Sequence, residues 1–71
     1  MSAESAKIIA NGRISQVHLP CSIGLFLDRC GWRPTQVVVE YNGRVLPRAE
    51  VGSVQLADGD RLEVIQPVAG G

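Results

Sequence analysis

Two Asn-Gly dipeptides, Asn11-Gly12 and Asn42-Gly43, constrain this chain more than any other feature. Each interrupts runs of apolar and β-branched residues, and both Asn and Gly accept the positive φ that a two-residue type I′ turn requires. The first predicts a hairpin of Lys7-Ile8-Ile9-Ala10 with Arg13 to Leu19, where Gln16 and His18 alternate against Val17 and Leu19. The second predicts a hairpin of Val37-Val38-Val39-Glu40-Tyr41, β-branched enough for a central strand, with Arg44-Val45-Leu46. Pro20 and Pro47 end the return strands because proline has no ladder donor.

Between the hairpins, Ser22 stands at a helix N-cap position, and Ile23, Phe26, Leu27 and Cys30 follow at i, i+3, i+4 and i+7 on one apolar face. Gly24, Leu25, Asp28 and Arg29 fall on the other sides, with Gly24 weakening the helix by up to ~1 kcal/mol relative to Ala. Gly31 supplies the left-handed residue past the end, and Pro34 prevents resumption. Cys30 is expected to close the apolar face as a small buried hydrophobe. From Arg48 to Leu56 the pattern is irregular, consistent with a turn that lays Val51, Val54 and Leu56 over the sheet edge. Asp58-Gly59-Asp60 reads as a tight turn, and Arg61 to Gln66 as a final strand with Leu62 and Val64 inward and enough apolar residues to be central.

The order hairpin, helix, hairpin, turn, strand is met most economically by an α+β roll of the β-grasp type. A mixed sheet of four to five strands would carry one main helix packed across one face. With 71 residues, one domain spanning 1–71 is expected, and residues 67–71 would leave the middle of the sheet as a tail. Apolar residues make up 45% and seven basic residues balance seven acidic ones, which argues against disorder and against a polycationic nucleic-acid binder. Phe26, Trp32 and Tyr41 are the only aromatics, too scattered to stack bases along a strand. So short a chain has little left to carve a deep cleft, so an enclosed enzyme active site is not expected. His18 is the sole histidine, expected on an edge strand facing solvent, and no local cluster has metal-ligand spacing.

The first seven residues contain no apolar signal core, and no apolar run approaches the ~18 residues of a membrane span. Cys21 and Cys30 would stand ~13 Å apart along one helix, beyond the ~7 Å reach of a disulfide. Both features fit a soluble protein of the reducing cytoplasm. Cys21 lies just before a helix N-terminus, where the dipole can lower a thiol pKa, but no His or Lys adjoins it in sequence and no role is expected of it.

The chain ends Pro67-Val68-Ala69-Gly70-Gly71. Two terminal glycines contribute nothing to packing and have the largest backbone entropy of any residue. They make a thin carboxylate end that another enzyme can draw through a narrow channel and attack from either side.

These features together resemble the ThiS family of ubiquitin-like sulfur carriers, which serve thiamine biosynthesis. The resemblance runs from Lys7 to Gly71, strongest in Val37-Val38-Val39-Glu40-Tyr41-Asn42-Gly43, Val45-Leu46-Pro47-Arg48, Leu56-Ala57-Asp58-Gly59-Asp60-Arg61-Leu62-Glu63-Val64-Ile65 and the Ala-Gly-Gly end. It implies a co-substrate that catalyses nothing and binds no cofactor. Its Gly71 carboxylate would be adenylated with ATP by a partner adenylyltransferase of the ThiF type. Sulfide from a persulfide donor, such as a cysteine desulfurase system, would displace AMP. The Gly71 thiocarboxylate would then supply a thiazole synthase of the ThiG type. The adenylate is needed chemically because a carboxylate is a poor electrophile without a leaving group. The alternatives are the small subunit of molybdopterin synthase, whose tail Pro67-Val68-Ala69-Gly70-Gly71 partly echoes, another ubiquitin-like sulfur carrier, or a protein modifier joined through Gly71.

Pro67, Val68, Ala69 and Gly70 would be the tail that partners grip. Strand alternation puts Val38, Glu40 and Ile65 on the sheet face opposite the helix, with Leu46 expected nearby, and Val38, Leu46 and Ile65 would form an exposed apolar patch. Asp58 and Asp60 form a small acidic group with Glu63 that either faces a basic partner or caps the last turn.

Overall fold

The computed structural model describes residues 4–67. Strands β1 (Ser5–Ala10) and β2 (Arg13–His18) form the first hairpin, and β3 (Val38–Tyr41) and β4 (Arg44–Val45) the second. Both turns contain the expected left-handed residues, with φ of 50° at Asn11 and at Asn42, and 80° and 86° at the glycines that follow. Helix α1 (Ile23–Arg29) follows the first hairpin, a short 3-10 turn (Pro34–Gln36) leads into β3, and a single helical turn, α2 (Arg48–Val51), follows β4. Strand β5 (Arg61–Ile65) comes last in sequence and sits in the middle of the sheet, whose order is β2-β1-β5-β3-β4. It runs parallel to β1 and antiparallel to β3, so the sheet is mixed, with five strands.

Ala6 and Ile8 of β1, Val17 of β2, Val39 of β3 and Leu62 and Val64 of β5 are buried in one core with Ile23, Phe26 and Leu27 of α1. Val51 and Leu56 close its edge, as the irregular stretch suggested. The segment around Leu56 is pinned across the start of α1: the Ile23 N–H donates to the Val54 carbonyl at 2.9 Å and the Leu56 N–H to the Cys21 carbonyl at 2.8 Å. Ser22 caps the helix by accepting from the Leu25 N–H at 3.0 Å. Gly24, read as a weakness of the helix, has a packing reason. A Cβ there would lie 3.3 Å from the Gly52 Cα and 3.5 Å from the Val51 carbonyl oxygen, so its absence lets α2 approach α1.

Cys30 departs from expectation: it is exposed. It is the C-cap, and the chain then reverses. The Gly31 N–H donates to the Asp28 carbonyl and the Trp32 N–H to the Leu27 carbonyl, the paired bonds of a Schellman motif around a left-handed Gly31. That reversal brings Trp32, rather than Cys30, against the core at the end of the helix. Cys21 is buried, its thiol donating to the Ser22 carbonyl at 3.5 Å.

Candidate functional site: the exit of β5 and the open sheet face

Because β5 is central, the chain leaves the sheet between two neighbours. Gln66 and Pro67 follow it, both exposed. The expected reactive residue Gly71, with Val68, Ala69 and Gly70, lies outside the described residues. An open groove of about 390 Å³ flanks the exit, lined by Thr35, Gln36, Val37, Val38, Arg48, Gln66 and Pro67. Arg48 is tied into its wall by a 3.3 Å hydrogen bond to the Thr35 carbonyl. A second open groove of about 270 Å³ runs from Val38 past Val45 to Pro47 and Val51.

Residues directly opposite in an antiparallel ladder share a face. Val38 pairs with Ile65, Glu40 with Glu63, and Glu40 with Val45. All five therefore stand on the side of the sheet away from α1. Val38, Ile65 and Val45 are 37%, 45% and 65% exposed, forming an apolar row beside the exit of β5. Ile14 on β2 is exposed as well, farther across the sheet.

Leu46 does not belong to this patch; it is 5% exposed and lies in the core. With Val45 outward, alternation turns Leu46 inward, where its N–H donates to the Val39 carbonyl at 2.8 Å. Val45 is the residue that the sequence reading missed. Its signal was available: a two-residue turn at Asn42-Gly43 pairs Tyr41 with Arg44 and thus Glu40 with Val45.

Asp60 is likewise no surface group. At 8% exposed, its carboxylate accepts from the Tyr41 hydroxyl at 2.9 Å, the Ala57 N–H at 2.8 Å and the Asn42 side-chain amide at 3.1 Å. These bonds join the β3–β4 turn to the start of β5. The hydrogen bond to Asp60 holds the Tyr41 hydroxyl above its ordinary 10.0; burial and the charge of Asp60 add to the rise, and Arg44 opposes it. Asp58 is exposed and accepts from the Lys7 N–H at 2.8 Å, so it caps a neighbouring strand. His18 is exposed on edge strand β2. Among the described residues no three His, Cys, Asp or Glu side chains are grouped as metal ligands, and no helix is long and apolar enough to cross a membrane.

A central last strand, a helix across one face and a hairpin on either side define the β-grasp, ubiquitin-like class. The chain belongs to the ThiS family, whose model matches residues 7–71. It is similar to the crystal structure of the thiamine biosynthesis protein ThiS from Geobacter metallireducens, with a TM-score of 0.77 and 28% identity, covering 92% of this chain and 99% of that one. It is also 28% identical over 65 residues to a thiazole synthase from Paramagnetospirillum magneticum. That match takes in 92% of this chain but 20% of the relative's length.

Proposed function

We propose that the chain carries sulfur on the Gly71 carboxylate, as a thiocarboxylate, for building the thiazole ring of thiamine. A ThiF-type adenylyltransferase supplies the activation: a Gly71 carboxylate oxygen attacks the α-phosphorus of ATP, pyrophosphate leaves, and an acyl-adenylate forms. Sulfide, released from the persulfide of a cysteine desulfurase system by a thiol reductant that is oxidised to its disulfide, then attacks the acyl carbon, and AMP departs. The carrier passes this sulfur to a thiazole synthase of the ThiG type, acting as co-substrate throughout and holding no cofactor of its own. The observation that carries this reading is the family match, which extends through Gly71. The likeness to a thiazole synthase supports the choice of acceptor. The exposed row of Val38, Val45 and Ile65 beside the β5 exit is where an activating partner docks while the tail enters its active site. An exposed Cys30 with no disulfide partner fits the reducing cytoplasm as the place of action.

Intact-protein mass spectrometry of the full chain, incubated with ATP, a ThiF-type adenylyltransferase and sulfide, tests it. The expected result is a mass gain equal to the difference between sulfur and oxygen, lost when Gly71 is deleted. Absence of both adenylate and thiocarboxylate overturns the proposal.

A further inference from the structure

Strand β1 runs beside β5 for two residue pairs only, Ile9 with Arg61 and Ala10 with Leu62. It then turns away at Asn11-Gly12. The second half of β5 would be a bare edge on that side, yet Asn11 fills the gap. Its backbone N–H donates to the Leu62 carbonyl at 2.9 Å. Its side-chain amide then spans Val64, accepting from the Val64 N–H at 2.7 Å and donating to the Val64 carbonyl at 3.3 Å. One primary amide thus satisfies both backbone groups of a residue 53 positions away, as the next peptide of a longer β1 would. On the opposite side, β3 holds the same stretch through Val39 and Val64, and Val38 and Ile65. Past this point Gln66 is exposed and Pro67 has no N–H to pair.

We infer that Asn11 is a positioning residue for the reactive tail: its side-chain amide clamps Val64 and sets where β5 ends and in what direction the chain leaves the sheet. This rests on the carrier reading above, and concerns how the tail is presented to the adenylyltransferase. Six residues, 66–71, separate the clamped strand from the Gly71 carboxylate, a span of at most ~20 Å fully extended. A partner that docks on the open face must find the carboxylate within that span. With Val64 released on this side, only β3 holds the end of β5, and the chain spreads its exit directions, which lowers the effective concentration of the carboxylate at the partner's active site. The loss falls on productive binding and leaves the chemistry of the bound carboxylate unchanged.

Asn42 provides the control. It sits in the second Asn-Gly turn with the same φ of 50°, and its side chain also grips β5, accepting from the Arg61 N–H at 2.8 Å, but at the end remote from the tail. Asn11→Gly and Asn42→Gly both keep a residue suited to the left-handed turn and remove the side-chain bonds. Amide hydrogen exchange and adenylation kinetics with ATP and a ThiF-type enzyme are measured on both full-length variants. For Asn11→Gly, exchange at the Val64 N–H is expected to rise at least ~10-fold while the Ile9 N–H keeps its protection. Its KM as substrate is expected to rise ~3- to 10-fold at unchanged kcat. Asn42→Gly is expected to leave KM within ~2-fold. Unchanged exchange at Val64 overturns the clamp, and an equal rise in KM for both variants, or none for Asn11→Gly, overturns its role in presenting the tail. A wild-type chain that is not adenylated at all is instead a failure of the carrier reading.

Discussion

The two faces of the sheet are made by the same five strands and obey opposite rules. On the covered face, Ile8, Val39, Leu62 and Val64 are buried under α1, and the one buried acid, Asp60, has three hydrogen-bond donors around it. On the open face, Val38, Val45 and Ile65 remain in water, and Glu40 stands directly opposite Glu63. Like charges in that register oppose strand pairing. The covered face is what the fold needs; the open face retains apolar area and a charge conflict from which the fold gains nothing. Residues that lower stability without an internal reason point to an external one, and this set borders the exit of the tail.

The sharpest test of the covered face is Leu62→Ala. Leu62 is fully buried in the central strand, so its truncation is expected to reduce unfolding free energy by ~2–5 kcal/mol in urea titrations. A loss below ~1 kcal/mol would mean that the two faces differ far less than their burial indicates.

Asp60→Ala comes next, expected to destabilise by ~1–3 kcal/mol because the Tyr41 hydroxyl and the Ala57 N–H lose their acceptor. Asp60→Asn should bring the Tyr41 titration back toward 10.0, visible as tyrosinate absorbance since Tyr41 is the sole tyrosine. The raised value means that the folded state holds the Tyr41 proton more tightly than the unfolded chain. Its contribution is therefore complete below about pH 10 and is lost as pH rises through the folded-state value. The wild type should lose stability in that alkaline window and Asp60→Asn should lose less.

Changes on the open face should be smaller and partly reversed in sign. Glu63→Gln removes one partner of the like-charged pair and is expected to stabilise the fold by ~0.2–1 kcal/mol, most clearly at low salt. A destabilised variant would show that Arg61, two residues along on the same face, already balances the pair. Val45→Ser is expected to shift stability by less than ~0.5 kcal/mol while weakening association with a ThiF-type partner ~10-fold, read by titration calorimetry. Unchanged association would remove Val45 from the docking row.

Most of the architecture was legible because it rests on local rules. Each Asn-Gly turn dictates a hairpin, Ser22 and Gly31 bracket α1, and the apolar character of Arg61 to Gln66 marks β5 as central. The errors arose where a local pattern met a tertiary choice. Cys30 continues the helical period but falls at the point where Gly31 reverses the chain, and Trp32 takes the place against the core. Leu46 and Val45 are the exception, because the two-residue turn at Asn42-Gly43 sets Val45 opposite Glu40 and their faces follow from that local register. Asp60 reads as a polar turn residue; only the approach of Tyr41 and Asn42, 19 and 18 positions earlier, buries it.

By itself the sequence determined which segments are strands and where they turn, because backbone preferences and side-chain periodicity act over a few residues. The tertiary structure decided which apolar residues remain in water and where the last strand is released. Those outcomes depend on pairing between distant segments, β5 with β3 and Asn11 with Val64, and the short-range pattern of the chain does not record them.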